Sequence, residues 1–322
     1  TIMGLIADLQ PTNFQQEKNR FLKNPTFNPQ FTYSRSFTAE DLQTHGLPDH
    51  KYINIAEKII EKTFSNFSTE ELKNNKGKLL DQETVNLSLR EFLKKHNDLD
   101  KKFEIIWSDK FVSRAAINPT TIKLSLPCSI YEQDLEGLIY HELGTHALRR
   151  VNYEQQPWFR RKKKNGFSSY LKTEEGLAVL HSLFTQKYPL AYVSALNFLM
   201  TIKAQQESFL ELWQFFKHYI DDDERAFSAV FKKKRGLTDT SHPGGFSKDY
   251  VYFEGFVEIV DFLIKNDFPI SDLYWGKMSW KDIDKAKEMN PDFEPILPGF
   301  YTDNPELYKQ QVMRIAEENF II

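Results

Sequence analysis

The sequence predicts a mostly helical α+β fold with one small sheet. Apolar residues recur at helical spacing along most of the chain, and three short β-like runs lie close together between residues 103 and 126. The sequence has no internal repeat, so a solenoid is not predicted. At 322 residues, the chain can bury a core of good size without a metal or a disulfide to hold it. A metal site in this chain is therefore expected to carry out chemistry rather than to stabilise the fold.

The N-terminal region has a different pattern from the rest of the chain. Residues 1–37 are polar and contain three prolines, which predicts an extended arm with a short helix around Gln15–Leu22. Residues 38–322 are predicted to form one domain. Its first long helices are expected at Ile53–Phe64 and Gln82–Lys95, where apolar side chains recur on one face.

The β-like runs predict a small sheet that precedes a central helix. They are Phe103–Trp107, Val112–Ile117 and Ile122–Leu126, with a turn at Asn118-Pro119 between the last two. Ile122–Leu126 alternates apolar and polar residues, which predicts a half-buried strand at an edge of the sheet. A strand in that position could pair with an extended substrate.

Helices are predicted for most of the remaining chain. One begins near Tyr131 and continues through Glu142. Another begins at Thr173, where a threonine and two glutamates resemble an N-cap with an acidic first turn. The later elements, in order, are helical segments across 174–230, a loop at Gly236–Ser247, and helices at Lys248–Lys265 and Pro305–Asn319.

Charge and composition argue against several classes of protein. A net charge of -3 gives no general attraction to nucleic acid or to an anionic membrane, and no run of 18 apolar residues predicts a transmembrane helix. The single cysteine, Cys128, cannot form an internal disulfide or a cysteine-rich zinc site. The predicted location is the cytoplasm. If the source is a host-associated bacterium, secretion into the host cell is the alternative.

The pattern HExxxH at residues 141–146 predicts a hydrolase that uses one zinc ion. Two imidazoles and a carboxylate bind zinc well and leave a fourth position for water. Bound zinc lowers the pKa of that water to about 7, and a glutamate beside the first histidine can take its proton. We therefore predict His141 and His146 as ligands and Glu142 as the general base.

The spacing of the two histidines predicts an irregular helix. In the common HExxH pattern the histidines are four residues apart and share one helix face. His141 and His146 are five apart, so on an ideal helix their side chains diverge by about 140°. Both can bind one metal only if the helix is widened or broken near Gly144, where the backbone freedom of glycine would help.

Two adjacent glutamates, Glu174 and Glu175, lie in the later motif TEEGLA at 173–178. One interpretation is simple capping of a helix. The other is a third zinc ligand, because the 29 residues from His146 to Glu175 allow a loop and a returning helix. From the residues alone, both interpretations remain open.

Four motifs in order carry a resemblance to a known family. They are HELGTH at 141–146, NYEQQPW at 152–158, TEEGLA at 173–178 and KRGLTDTSHPGGFSKDYVYFEG at 234–255. Together they resemble the microtubule-associated tyrosine carboxypeptidase family, over residues 27–265. The resemblance implies a zincin-like metallopeptidase fold.

The resemblance also implies roles for individual residues. His141 and His146 are then zinc ligands, Glu142 is the general base, and a glutamate of TEEGLA is the third ligand. Bacterial relatives have a QEGLA motif that keeps only the second acid, and dipeptidyl peptidase III looks similar in using the second of two glutamates. Glu175 is therefore predicted as the ligand, and Glu174 as the residue that holds a histidine N–H.

The implied substrate is a protein with an acidic C-terminal tail, because animal members of the family remove the C-terminal tyrosine of α-tubulin. A terminal carboxylate is usually bound by Arg or Lys, so Arg235 and Lys248 are predicted to bind substrate. Tyr252 is predicted to donate to the oxyanion. The basic runs Arg160–Lys164 and Lys232–Arg235 are either solvated loops or a rim that steers the acidic tail.

Two other functions are kept as alternatives. One is a peptidase with the same chemistry that acts on other peptides. The other is a non-catalytic module that binds microtubules or another partner. The intact HExxxH and TEEGLA motifs favour catalysis over the second alternative.

Overall fold

The computed structural model describes residues 2–74, 76–111 and 113–322. The chain divides into two compact units. Unit 1 consists of Thr1–Glu70 and Tyr192–Glu254, and unit 2 consists of Glu71–Ala191 and Gly255–Ile322. Most described elements are helices, and one three-stranded sheet accompanies them, which confirms the predicted mostly helical α+β fold. The predicted boundary after residue 37 stays a prediction.

Unit 1 is helical and has an aromatic core. Phe21 is fully buried and its ring contacts Phe27, Phe209, Trp213 and Phe227 with centroids 5.2–5.7 Å apart. This packing anchors the polar N-terminal segment. The helix Phe14–Lys23 confirms the short helix predicted around Gln15–Leu22. The helices of unit 1 are Ile2–Asp8, Phe14–Lys23, Ala39–Leu42, His50–Tyr52, Ile53–Asn66, Tyr192–Ala204, Phe209–Lys217 and Asp223–Lys234.

Unit 2 contains the sheet, whose strands are β1 (Glu104–Ser108), β2 (Ala115–Ile117) and β3 (Thr121–Ser125). The strand order is β1-β3-β2, with β3 parallel to β1 and antiparallel to β2. The edge position predicted for Ile122–Leu126 is therefore wrong, because β3 is bonded on both sides. Since its backbone groups are already paired, β3 cannot add a substrate strand. Val112, in the second predicted run, lies outside the described residues.

The helices of unit 2 follow the sheet for the most part. Apart from the segments that carry the HExxxH motif, they are Gln82–Lys95, Leu99–Lys101, Leu171–Leu183, Ile270–Leu273, Trp280–Asp282, Ile283–Met289, Gly299–Thr302 and Pro305–Glu318. Two further helices, Thr69–Asn74 and Tyr250–Lys265, each contain a boundary between the units. Among the described residues, no helix has the length and apolar character needed to span a membrane.

Candidate active site

The HExxxH motif lies on a continuous helix, here called the motif helix, over residues 132–154. It consists of an α-helical segment Glu132–Ile139, a π-helical segment Tyr140–Ala147 and a second α-helical segment Leu148–Glu154. In a π-helix each N–H bonds the carbonyl five residues earlier, so residues five apart come to the same side. The rings of His141 and His146 accordingly lie 5.0 Å apart, which confirms the predicted irregularity.

One side chain of the π-helical segment itself, and others from elsewhere in unit 2, support this segment. The Thr145 hydroxyl donates to the Tyr140 carbonyl at 2.9 Å, and the Tyr274 hydroxyl donates to the Gly144 carbonyl at 2.6 Å. A Cβ on Gly144 would lie 2.6 Å from Cε1 of Phe300. The φ of Gly144 is not positive, so the role predicted for its backbone freedom is wrong. Glycine is needed there because the Phe300 ring packs against it.

The helix that carries the glutamate pair, Leu171–Leu183, packs against the π-helical segment. It begins two residues before Thr173, so the predicted N-cap role of that residue is wrong. Thr173 is buried, and its hydroxyl accepts the N–H of Trp280 at 3.2 Å. Glu174 and Glu175 are only 2% and 9% exposed, so solvent-facing helix capping does not explain them.

Three side chains converge on one point. One ligand atom from each of His141, His146 and Glu175 lies within 4.8 Å of the other two. Two imidazole nitrogens and a carboxylate oxygen are a donor set that zinc prefers. The Nδ1 of His146 donates to Glu174 at 2.9 Å, while its Nε2 lies 3.5 Å from Glu175. The arrangement therefore leaves the Nε2 of His146 available to a metal.

Glu174 is held by three basic groups. Its carboxylate accepts from His146, from Lys277 at 2.8 Å and from Arg149 in a short ion pair. Arg149 is fully buried and also donates to the carbonyls of Leu273 and Met278, at 2.9 and 2.8 Å. Burial alone would raise the pKa of Glu174, but Lys277, Arg149 and His146 hold it well below its usual value. Glu174 therefore stays ionised and orients the ring of His146. Its predicted role behind a zinc ligand stays a prediction.

The two histidines have different electrostatic environments. Burial lowers the pKa of His141 below its usual value. Burial acts in the same direction on His146, but hydrogen bonds to Glu174 and Glu175 outweigh it and raise that pKa to about 10. Glu142 is buried beside them, and its carboxylate has no hydrogen-bond or ion-pair partner among the residues described. The charge of Glu142 acts on His141, where it raises the pKa against the effect of burial.

A third histidine, His181, is fully buried and supports the motif helix. Its Nδ1 lies 2.8 Å from the Thr145 hydroxyl and its Nε2 lies 2.8 Å from the Tyr308 hydroxyl. Because Thr145 donates its only hydrogen to Tyr140, the Nδ1 of His181 must be the donor to Thr145. Its Nε2 then accepts from Tyr308, and the ring is neutral.

Sequence reasoning missed His181, Arg149 and Lys277. Two of them carried a usable signal, because Arg149 lies three residues after His146 and His181 lies seven after Glu174, which places each pair on one helix face. Lys277 carried none, since it is 103 residues from Glu174 in the chain (277 − 174).

The predicted substrate residues lie in a different unit from the histidines. Arg235, Lys248 and Tyr252 belong to unit 1, whereas the zinc-ligand candidates belong to unit 2. Within unit 1, the Arg235 guanidinium lies 4.5 Å above the ring of Phe246. All three predicted substrate residues are half-buried.

The basic loop Arg160–Lys164 belongs to unit 2. Four of its five basic residues are exposed. Lys162 is the exception: its ammonium lies 3.2 Å from the ring centroid of Tyr170 and donates to the Lys277 carbonyl at 2.8 Å. Burial lowers the pKa of Lys162 to about 7. The loop therefore reaches the residues around Glu174 through Lys162 and exposes the rest of its charge.

Comparison with known proteins identifies the family. The family model described as microtubule-associated tyrosine carboxypeptidase matches residues 32–293. The chain belongs to the microtubule-associated tyrosine carboxypeptidase family. The predicted resemblance is thereby confirmed, and the match includes the HExxxH and TEEGLA motifs.

Individual members of the tyrosine carboxypeptidase family match nearly the whole chain. Microtubule-associated tyrosine carboxypeptidase 1 of Mus musculus is 31% identical over 323 residues, which are 98% of this chain and 68% of that protein. The protein of the same name from Homo sapiens gives the same identity and coverage. The MATCAP2 protein of Mus musculus is 32% identical over 326 residues, which are 98% of this chain and 62% of that protein.

Proposed function

We propose that the protein is a zinc-dependent carboxypeptidase that removes a C-terminal residue, tyrosine or another aromatic, from a protein such as α-tubulin. The observation that carries the proposal is the convergence of His141, His146 and Glu175 beside the buried carboxylate of Glu142. The names of the relatives support the substrate class, because two of them are called microtubule-associated tyrosine carboxypeptidase 1. A cytoplasmic location and a substrate with an acidic tail belong to the same proposal.

The side chains would divide the work as follows. His141, His146 and Glu175 would hold one zinc ion, which when bound would supply a Lewis acid for water and for the scissile carbonyl. Glu174 keeps the Nδ1 proton of His146 in place, which directs the Nε2 of that ring toward Glu175. Glu142 would take the proton of the attacking water and pass it to the leaving amine.

The catalytic part of the proposal is tested with Glu142→Gln. Removing the general base should lower the rate of peptide cleavage by roughly 10²–10⁴-fold while leaving the protein folded, because the amide has nearly the same shape. Glu136→Gln is a matched control on the same helix, since Glu136 accepts a hydrogen bond from Tyr140 at 2.9 Å and is not in the ligand cluster. Equal rates for the two variants would contradict the assignment of Glu142.

The substrate is tested separately by incubating the protein with tubulin and probing for loss of its terminal tyrosine. Loss of that residue supports the proposed substrate. Unchanged tubulin beside cleavage of other peptides would support a peptidase of the same chemistry with another substrate. Two results together would support a non-catalytic binding module. The purified protein would retain less than about half an equivalent of zinc after gentle purification, and Glu142→Gln would have no effect on any cleavage.

A further inference from the structure

Unit 1 contains a cavity of about 410 Å³, and its lining residues all belong to this unit. Ile60 and Leu199 are only 4% and 9% exposed and form its floor. Three half-buried aromatic residues form its walls: Phe64, Phe215 and Tyr219. The candidate zinc ligands belong instead to unit 2. A cavity of this volume is within the range that binds small ligands, so it can hold side chains of a partner.

The aromatic walls of the cavity are packed against one another. The ring of Tyr219 lies 5.0 Å from that of Phe64 and 5.4 Å from that of Phe215, measured between centroids. The ammonium of Lys203 lies 4.9 Å from the centroid of Phe215 and pairs with Glu207 at 2.6 Å. The face of an aromatic ring attracts cations, and Phe215 already contacts one lysine in this way. The walls therefore favour a cationic ligand over an anionic one.

The helix Ile53–Asn66 adds two carboxylates at the mouth of the cavity. Glu57 and Glu61 are exposed, and together with Ile60 and Phe64 they have the spacing i, i+3, i+4 and i+7 of one helix face. Four residues rise about 6 Å along a helix, so the two carboxylates are close enough to repel each other. Among the residues described, neither carboxylate makes a hydrogen bond or an ion pair. A cation at the mouth of the cavity would remove the repulsion.

These features together select the chemistry of a ligand. The apolar floor favours an aliphatic or aromatic group, and the two carboxylates favour lysine or arginine. An acidic peptide, a nucleic acid or an anionic membrane would be repelled at the same place. The acidic tail proposed as the substrate therefore does not fit this cavity. An amphipathic helix offers basic residues at i and i+4 and apolar residues at i+3 and i+7, which matches the spacing of the helix face that lines the cavity.

We propose that the cavity between Glu57, Leu199 and Tyr219 binds a basic amphipathic helix of a partner protein. Apolar side chains of that helix enter the cavity, and its lysine or arginine side chains pair with Glu57 and Glu61. Burial of the apolar groups supplies most of the affinity, whereas the ion pairs select a basic partner and speed its association. This partner is a different protein from the acidic substrate, so the proposal goes beyond the proposed peptidase function and does not depend on it.

The test titrates the full chain into a fluorescent helical peptide that carries Lys at i and i+4 and Leu at i+3 and i+7. One analogue has Gln in place of both Lys, and another has Ala in place of both Leu. At low salt we expect the parent peptide to bind about tenfold more tightly than either analogue. Its affinity should fall as salt is added, because the ion pairs are exposed to solvent.

Variants of the protein locate the ligand. Glu57→Gln and Glu61→Gln should each weaken the parent peptide by about two- to fivefold, as expected for one exposed ion pair, and should leave the Gln analogue unchanged. Both residues are exposed, so neither change should disturb the fold. Glu40→Gln is the matched control, because Glu40 is an exposed glutamate of unit 1 that does not line the cavity. The methyl signals of Leu199 in the NMR spectrum should shift with the parent peptide.

Several results would overturn the proposal. They are the absence of saturable binding, equal binding of the parent peptide and the Gln analogue, and losses in Glu57→Gln no greater than in Glu40→Gln. Binding of butylamine as tight as that of the peptide would assign the cavity to a small organic cation instead. A dimer in sedimentation that Glu57→Gln removes would assign it to a second copy of this chain. Selective peptide binding in a protein that cleaves nothing would retain this site and contradict the peptidase.

Discussion

At the scale of single residues, the network around Glu174 predicts a large effect from a small change. Glu174→Gln keeps the shape of the side chain but removes the charge that Arg149, Lys277 and His146 share. Losing an outer partner of a metal-binding histidine typically costs roughly 10–100-fold in metal affinity. Leaving the buried Arg149 unpaired should also lower the free energy of unfolding by about 3–5 kcal/mol. Zinc affinity is measured by competition with a chelator, and stability by urea unfolding.

Glu154→Gln is the matched control for this prediction. Glu154 lies on the motif helix, as His146 does, and it pairs with Arg150 at 2.7 Å and with Lys102 in a short ion pair, but its side chain is 21% exposed and it is not in the ligand cluster. A partly exposed pair of this kind contributes little, at about 0–1 kcal/mol. Zinc affinity should therefore be unchanged in Glu154→Gln. Equal losses of affinity in both variants would show that Glu174 has no special relation to His146.

At the scale of elements, the π-helical segment depends on close packing against Gly144. Gly144→Ala would place a Cβ 2.6 Å from Phe300, so the ring must move, and overpacking of this kind costs about 1–3 kcal/mol in the free energy of unfolding. Gly299→Ala is the control, because its nearest atoms would lie 3.6 Å away, which is an ordinary contact. Adding Phe300→Leu should recover part of the loss in Gly144→Ala, since the two positions are coupled. Additive effects in urea unfolding would contradict the packing explanation.

The same elements show which parts of the fold a sequence can predict. Gln82–Lys95 was predicted with the bounds that the structure has, because apolar periodicity and the N-cap Asp81 are local signals. The order β1-β3-β2 was not predicted. Alternation within Ile122–Leu126 indicates a half-buried strand, but it does not show which strands pair with it. The helix irregularity followed from a local spacing, whereas its support by Tyr274 and Phe300 depends on contacts between distant segments.

At the scale of the whole molecule, the buried histidines set the dependence of stability on pH. The pKa values of His45, His96, His141 and His181 are below the usual value, with burial as the first cause of each. Their contribution to stability is present above about pH 6.5 and is lost as the pH falls, because only the unfolded chain then binds the protons. His146, with a pKa of about 10 in the metal-free chain, contributes in the opposite sense: its contribution is complete below about pH 6.5 and is lost as the pH rises toward 10.

The metal-free protein should therefore be most stable near pH 6.5, and His181 should account for much of the loss on the acid side. A proton on its Nε2 would meet the Tyr308 hydroxyl, which already donates there, and burial holds the pKa of His181 well below its usual value. One such histidine lowers the free energy of unfolding by about 1.4 kcal/mol for each pH unit below the pKa that it has in the unfolded chain.

Urea unfolding at several pH values should show a shallower acid slope for His181→Gln, and an intermediate slope for Tyr308→Phe, in which Nε2 is free to accept a proton. His242→Gln, which removes a side chain that is 72% exposed, should leave the slope as it is in the unmodified protein. An unchanged slope in His181→Gln would show that His181 is protonated in the folded chain and that its Nε2 donates to the Tyr308 hydroxyl.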